Sequence, residues 1–405
     1  MKSILDSLPG HGLTGNDTGD LRTGFHRLWK TWLIVVGIYL ASRIPALIGF
    51  ALAQHAESKP FSFLATQHRW DSWWYLYLAE FGHPDQLNIP DRPHYGPWGF
   101  FPAWPMIIRV VAQAVSVEYA VAGAVVTLFF GVALALVVRR FAARYVGDRR
   151  ALLVVALFLF FPGAVILSLP YTEAAFLFFA VLALDALMRE RWIIASVAVF
   201  GAASIRSTAV AVLVAVGVQF ILVVLRWWED RHHSRFPLLA ALPAVAGVAA
   251  FCLTFWYAYE RTGRPFIWLE AQRQWDQTLD FGMGLIPKIG AAFQGTEPDG
   301  SFYLVSFASL ILFTILVISS IRFWRILPLP VIAYSLALLG SILLYSNVGP
   351  RPRMFLSVVP LFIPLSIAVT RWRSWILPTV TLMVLAGLSV VFAFVILYTP
   401  LHVTA

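Results

Sequence analysis

Long apolar runs constrain the fold of this 405-residue chain more than any other feature of its sequence. Leu238–Tyr259 and Ile376–Leu397 each exceed the ~18 residues that a helix needs to cross a bilayer. Charged residues make up 13% of the chain, against roughly 25% in soluble domains. The sequence therefore predicts an all-α, polytopic membrane protein, because a helix satisfies its own backbone hydrogen bonds within lipid.

About eleven spans (roughly 10 to 12) are expected from the apolar runs and the polar breaks between them. They are Leu28–Ala53, Glu118–Val138, Ala151–Leu167, Tyr171–Leu187, Trp192–Ala203, Thr208–Leu225, Leu238–Tyr259, Phe302–Ile321, Leu327–Tyr345, Met354–Val369 and Trp375–Leu397. The two that flank Arg206 are short for a ~30 Å hydrocarbon core, so a broken or re-entrant hairpin is the alternative there.

The distribution of arginine predicts the orientation in the membrane. Short connections on one side of the predicted spans carry clusters of basic residues, such as Arg139–Arg150, which is typical of cytoplasmic loops. The prediction is an N-terminus inside and a C-terminus outside, in a plasma (inner) membrane, or in the endoplasmic reticulum for a eukaryotic source. Because these arginines form no single face, the net charge of +9 does not predict a nucleic-acid partner.

The same pattern divides the chain into a flexible cytoplasmic tail (1–27), one membrane domain (28–398) and a short C-terminal tail (399–405). Two long loops are expected on the extracytoplasmic side, at 54–117 and 261–300. Polar, aromatic-rich loops that converge on one side of a membrane favour a functional site there.

The first of these loops contains the most unusual segment, Gln67–Pro105. Its tryptophan, tyrosine and phenylalanine residues recur at helical spacing over residues 70–81, which predicts a short amphipathic helix at the membrane surface. Six prolines interleaved with aromatic residues follow over 84–105, and they predict an ordered loop packed on the membrane face.

Asp71 is the acid in this segment that is best placed for chemistry. It is either the N-cap of the predicted helix or a general base in an aromatic pocket that accepts a hydroxyl proton. The sequence supplies no Glu or Gln at the third helical position to complete a capping box, so the N-cap interpretation is incomplete.

Charged residues within or beside other apolar runs are further candidates. Glu173 is either a first-turn acid at a helix N-terminus or the partner of Arg206, whose unpaired charge would cost about 2.5–3.5 kcal/mol in the membrane. Arg351 and Arg353 either bind a phosphate or extend to the membrane interface. No nucleotide or metal motif is present, and the spacings of His68, His83, Asp85, Asp91 and His94 match no metal site, so neither cofactor nor metal is expected.

Several of these segments together resemble one family. Trp70-Asp71, Gly99-Phe-Phe-Pro-Ala-Trp-Pro105, Pro170-Tyr-Thr-Glu173, Ile205-Arg-Ser207 and Thr262-Gly-Arg-Pro265 occur in the order found in the PIG-V family, which comprises the transferases of the second mannose in GPI-anchor assembly and their bacterial relatives. Arg353 followed by Pro360 is similar to the family's Arg-aromatic…Pro pattern, although Met354 stands where the aromatic residue is usual, and Arg264 stands where an acid is usual.

The resemblance implies a GT-C glycosyltransferase fold with its active site on the extracytoplasmic face. It implies a polyprenyl-phosphate sugar donor, usually mannose, and an acceptor hydroxyl on a lipid-linked or envelope glycan. Asp71 would be the catalytic base. The candidate substrate-binding residues are Arg69, Trp70, Trp74, His83, Tyr95, Tyr171, Glu173, Arg206, Gln272, Trp275, Arg351 and Arg353. Membrane lipids are the remaining expected partner.

Two other classes of protein remain open at this stage. A transporter or flippase of lipid-linked sugars would also place an acid and arginines along a polar pathway. A non-catalytic subunit of a glycosylation complex would retain the fold and tolerate the loss of Asp71.

Overall fold

A computed structural model of the chain describes residues 18–90, 96–231, 235–274, 281, 283–296, 300–344, 351–371 and 375–398. Every regular element in these ranges is a helix, and none is a strand. The α-helices are α1 (Thr18–Ala56), α2 (Phe63–Thr66), α3 (Asp71–Phe81), α4 (Ala103–Val115), α5 (Tyr119–Leu159), α6 (Glu173–Leu187), α7 (Trp192–Ile205), α8 (Val210–Glu229), α9 (Leu242–Thr262), α10 (Ile267–Gln274), α11 (Leu285–Phe293), α12 (Gly300–Ser320), α13 (Leu329–Leu344), α14 (Arg351–Leu356), α15 (Phe362–Val369) and α16 (Ile376–Tyr398).

Six helical segments in the described part of the chain are long and apolar enough to cross a bilayer. They are Trp29–Ala56, Tyr119–Leu159, Ser207–Glu229, Leu238–Thr262, Tyr303–Ile326 and Ile376–Tyr398. A seventh is possible if Pro162–Ser168 and α6, which meet at a bend of 110°, form one span. These helices confirm the predicted class, an all-α, multi-pass membrane protein.

Several predicted span boundaries differ from the structure. The basic segment 139–150, expected to be a connection, is mostly helical, but the chain breaks within it at Gly147, whose φ of 75° and ψ of 167° are not helical, so α5 is two helices that meet at a kink. The kink falls inside the predicted connection, so the structure agrees with a break there and differs only in that helix extends into the basic segment from both sides. The predicted span Met354–Val369 is instead two short helices, α14 and α15, separated by a turn that contains Pro360.

The bend before α6 is the part of the fold that positions the candidate site. Residues Pro162–Ser168 form a 3₁₀ helix with carbonyl groups left free of α-helical partners. Arg43 of α1 donates to the carbonyl of Ala164 at 2.5 Å and to that of Leu159 at 3.2 Å. The buried side chain of Arg43 on α1 therefore supplies hydrogen bonds to backbone carbonyls at the bend, where the α-helical pattern is interrupted.

Candidate active site

Asp71 is the first residue of α3, and its side chain makes no capping hydrogen bond to that helix. Trp70 occupies the N-cap position, with φ 55° and ψ −136°, a conformation that residues other than glycine rarely adopt. The Asp71 carboxylate instead accepts a hydrogen bond from Nη1 of Arg353 at 2.5 Å. The geometry thus differs from the N-cap interpretation and places Asp71 in an ion pair.

Glu173 is the second carboxylate of this cluster and is the first residue of α6. Its side chain is fully buried and accepts from Nε of Arg353 and from Nη1 of Arg206. Arg206 follows the last turn of α7 in an extended conformation and also donates to the hydroxyl of Thr172 at 3.3 Å. Glu173 is thus the partner that the charge on Arg206 required.

Arg353 connects the two carboxylates. It lies on α14 and is 8% exposed, with its guanidinium carbon 4.5 Å from the centroid of the Tyr171 ring. Asp71, Glu173, Arg206 and Arg353 contain two negative and two positive charges, so the cluster is neutral, as burial of charged groups requires. The Asp71 side chain is 23% exposed, so it is the most accessible of the four charged groups.

Hydrogen bonds from α4 and α9 hold the C-terminal end of α3 and His83, just after it. Arg109 donates to the carbonyl of Ala79 at 2.6 Å, and Arg261 donates to that of His83 at 2.6 Å. Trp104 donates to the carbonyl of Pro170, close to the start of α6, at 2.9 Å. These bonds link the loop helix to α4, α9 and the bend, which fixes the position of Asp71.

The predicted surface helix over 70–81 is present as α3, but much of its aromatic stripe faces protein. Trp74 is 2% exposed and stacks on Phe100, whereas Phe81, at the end of the helix, is 63% exposed. The proline-aromatic segment is ordered where the structure describes it, with Trp98 and Trp104 buried.

Only some of the predicted site residues converge. Asp71, Tyr171, Glu173, Arg206 and Arg353 lie together. Four of the others make different contacts: Arg69 pairs with Glu57 at 3.0 Å, Trp70 donates to the carbonyl of Ile396, Trp74 packs on Phe100, and Gln272 donates to the carbonyl of Gly99 at 3.3 Å. Tyr95, Trp275 and the side chain of Arg351 lie outside the described residues.

His83 supports the loop rather than the ion-pair cluster. It is 2% exposed, and its Nε2 donates to the carbonyl of Phe100 at 2.9 Å. Its ring centroid lies 4.5 Å from that of Trp98. Burial lowers the pKa of His83 to about 4, so the imidazole is neutral at neutral pH.

Sequence reasoning missed three residues near the cluster. Thr172 accepts from Arg206, the Tyr75 hydroxyl lies 3.4 Å from that of Thr172, and Arg43 supports the bend. Arg43 could have been found, because it is a lone charge within the apolar run of α1 and the argument applied to Arg206 applies to it equally. Tyr75 carried no such signal, since aromatic residues are frequent throughout this loop.

In the described part of the chain, no three His, Cys, Asp or Glu side chains converge as a metal site. No protein-family model matches the sequence, and no curated protein matches it. Among solved structures, the fold is similar to that of the archaeal oligosaccharyltransferase AglB from Archaeoglobus fulgidus in complex with an inhibitory peptide and a dolichol-phosphate. The TM-score is 0.50 at 11% sequence identity, and the match covers 92% of this chain and 56% of AglB.

ArnT from Cupriavidus metallidurans bound to undecaprenyl phosphate is also similar, with a TM-score of 0.49, 15% identity, and coverage of 86% of this chain and 62% of ArnT. The chain thus spans less than two thirds of the length of both proteins. The match to AglB identifies the fold as GT-C-like.

Proposed function

We propose that this chain is an inverting, PIG-V-like glycosyltransferase. It moves a mannosyl group from polyprenyl-phosphate mannose to a hydroxyl of a lipid-linked or envelope glycan on the extracytoplasmic face. The observation that supports this most directly is the partly exposed Asp71 carboxylate, held by Arg353 over a buried Glu173–Arg206 pair. A base and a cation for the leaving group are what this reaction needs.

Asp71 is the proposed base. Its carboxylate takes the proton of the acceptor hydroxyl while that oxygen attacks the anomeric carbon of the sugar. A carbon–oxygen bond to the acceptor forms, and the bond from the anomeric carbon to the phosphate oxygen breaks. The lipid phosphate leaves from the opposite face with the bonding electron pair, which inverts the configuration at the anomeric carbon.

Arg353 balances the charge that develops in this step. The donor is a phosphodiester with one negative charge, and the departing lipid monophosphate gains a second as the bond breaks. Protonation of Asp71 removes one negative charge from the neutral cluster and leaves its arginines with one uncompensated positive charge. Since Arg353 contacts both carboxylates, it is the group best placed to direct that charge towards the phosphate.

The surroundings of α14 are apolar, as the isoprenoid tail of a lipid-linked donor requires. Phe355, two residues after Arg353, stacks on Phe313 of α12 with ring centroids 4.1 Å apart. Phe313 also lines a small apolar cleft with Leu316, Val317, Ser320, Leu361, Phe362 and Leu365, which would have to widen to admit a lipid tail. AglB, whose structure holds a dolichol-phosphate, has a similar fold, which is consistent with a lipid-linked donor.

The test is transfer of radiolabelled mannose from polyprenyl-phosphate mannose to acceptors in membranes that contain wild-type or Asp71→Asn protein. We expect the variant to lose at least ~100-fold in rate, because an amide cannot accept the proton. Glu57→Gln is the matched control: it makes the same change of carboxylate to amide on the same loop, where Glu57 pairs with Arg69 and Lys59.

Each other outcome identifies the part of the proposal that is wrong. Full transfer by Asp71→Asn excludes Asp71 as the base. Movement of lipid-linked sugar across the membrane by wild type, without sugar transfer, indicates a transporter. Absence of transfer by wild type indicates a different donor sugar, an acceptor missing from these membranes or a protein that is not an enzyme, and a panel of other polyprenyl-phosphate sugars is then tested first.

A further inference from the structure

Helix α11 exposes one apolar face away from the rest of the protein. Met283, just before the helix, and Ile286 and Phe293 within it are 63%, 62% and 69% exposed. Their spacing, together with Gly290, places all four positions on one face of a helix. Phe281, two residues before Met283, is 70% exposed and extends the same apolar surface.

The opposite face of α11 packs on the protein beside the candidate site. Ala292 forms a buried cluster with Tyr303 of α12, and Ile289 packs against it. Trp70, the residue before Asp71, packs against the same cluster. The helix is therefore attached by one side, next to the loop that carries the proposed base.

The surface that adjoins α11 is a lipid-facing one. In α12 only 12% of the most apolar stretch is buried inside the protein, against 28–44% in the other five candidate spans. Ile311, Ile315 and Ile318 of α12 are 45%, 57% and 64% exposed. Because α11 packs on the first turns of this helix, its apolar face continues the membrane surface of α12.

Length and charge determine how α11 meets the bilayer. Nine residues of helix extend about 14 Å, less than half of the ~30 Å hydrocarbon core, so α11 cannot cross it. The sequence from 281 to 296 contains one charged residue, Lys288, whose Nζ lies 5.4 Å from the Tyr303 ring centroid. Lys288 lies on the opposite side of the helix from Met283, Ile286 and Phe293, so no charged residue of α11 interrupts the apolar face.

We propose that α11 is an interfacial helix that seats Met283, Ile286 and Phe293 in the leaflet at the N-terminal end of α12. The partner is the lipid surface itself, and the proposal is independent of the reaction at Asp71. As a consequence, contact with the bilayer stabilises the cluster of Ala292 and Tyr303. Because Trp70 packs against that cluster, the lipid contact also stabilises the start of α3.

The experiment places a spin label at Ile286→Cys and, separately, at Phe293→Cys in protein reconstituted into phosphatidylcholine liposomes. The background carries Cys252→Ala, because Cys252 is exposed and would also react. Collision rates are measured with oxygen, which concentrates in lipid, and with a water-soluble nickel chelate. Ile315→Cys in α12 is the lipid reference, and Lys59→Cys, whose native side chain is 62% exposed, is the water reference.

We expect labels at Ile286 and Phe293 to show an oxygen-to-nickel collision ratio close to that at Ile315 and several-fold above that at Lys59. A ratio as low as that at Lys59 would overturn the proposal, because the face would then be in water. Low collision rates with both reagents would overturn it too, since protein rather than lipid would then cover the face. Two label positions guard against a variant that fails to fold, and both are compared with wild type by thermal unfolding.

Discussion

Asp71 and Arg353 lie 282 residues apart in the chain and share one ion pair. An anionic phosphate that enters the site competes with Asp71 for the same guanidinium, since Arg353 is already bonded to Glu173 through Nε. The charge of the cluster, and not only its shape, should therefore control how strongly the proposed lipid phosphate binds.

Asp71→Asn should strengthen binding of polyprenyl monophosphate while it abolishes sugar transfer. The substitution removes one negative charge and leaves Arg353 with one carboxylate partner, so we expect affinity to rise about 5- to 10-fold. Binding is measured by titration calorimetry in detergent, with Glu57→Gln as the control of unchanged affinity. Equal affinity of Asp71→Asn and wild type would show that the phosphate does not compete with Asp71 for Arg353.

Glu173→Gln should destabilise the protein strongly. It leaves Arg206 and Arg353 with Asp71 as the remaining carboxylate, and removing one partner of a buried ion pair costs about 3–5 kcal/mol. The free energy of unfolding in detergent measures the effect. The comparison is Glu57→Gln, where the pairs with Lys59 and Arg69 are more exposed and the loss should be at most about 1 kcal/mol. A similar loss in the two variants would contradict the buried network.

His83 should make the first loop sensitive to mild acid. Burial lowers its pKa to about 4, below the ordinary value of about 6.5 in an unfolded chain. The stability contributed by a neutral imidazole is therefore complete above pH 6.5 and is lost as pH falls from about 6.5 towards 4, by about 3 kcal/mol in total.

The measurement for His83 is the unfolding free energy of wild type and His83→Gln between pH 7.5 and 4.5. Glutamine can still donate to the Phe100 carbonyl but does not titrate. We expect the wild-type curve to fall more steeply than that of the variant over this range. Parallel curves would mean that His83 does not set the acid sensitivity.

At the scale of elements, the close contact between the bend and α14 determines where Arg353 lies. A Cβ built on Gly163 would stand 1.9 Å from the carbonyl oxygen of Pro352, the residue before Arg353. Gly163→Ala must therefore displace the backbone of α14, and we expect both a lower melting temperature and at least ~10-fold slower transfer.

Gly217→Ala is the control for that substitution. A Cβ on Gly217 in α8 would meet nothing within 4 Å, so the change should be neutral or stabilise the helix by up to about 1 kcal/mol. Transfer at the wild-type rate by Gly163→Ala would contradict the proposal that this contact positions Arg353.

The sequence predicted best the elements whose periodicity is local. The aromatic spacing over 70–81 predicted α3 to within one residue, because side chains on one face of a helix recur with the period of the helix itself. The break at Gly147 falls within the predicted connection 139–150, but most of that segment is helical, since a change of polarity marks the membrane edge and not the end of a helix. The break between α14 and α15 lies in an apolar run that contains Pro360 and Pro364, and a hydropathy pattern does not register the backbone restriction that proline imposes.

The candidate site was predictable as a set of residues and not as an arrangement. Burial of a charge demands a partner, which indicated Glu173 for Arg206. That Arg353 would join both Glu173 and Asp71 depends on how α14 packs on the bend, and no local pattern encodes that contact. The other predicted binding residues were selected by segment, and most of those described make contacts that hold the loop together.

At the scale of the whole molecule, orientation decides whether the proposed site can meet its substrate. The Asp71 cluster and the basic middle of α5 belong to opposite sides in the predicted topology, with Asp71 outside the cell. Arginine-rich segments stay on the cytoplasmic side because moving them across the membrane is unfavourable. The cytoplasmic location of Arg149 is therefore better supported by the sequence than the extracytoplasmic location of Asp71.

A membrane-impermeant maleimide tests the topology on intact cells that carry single-cysteine variants of Cys252→Ala protein. Lys59→Cys, on the same loop as Asp71, should react in intact cells. Arg149→Cys should react only after the membrane is opened, and its reaction then confirms that the residue is accessible. The reverse pattern would place Asp71 in the cytoplasm. A donor sugar attached to its polyprenyl phosphate would then have to react on the inner leaflet, and the acceptor could not be an envelope glycan outside the cell.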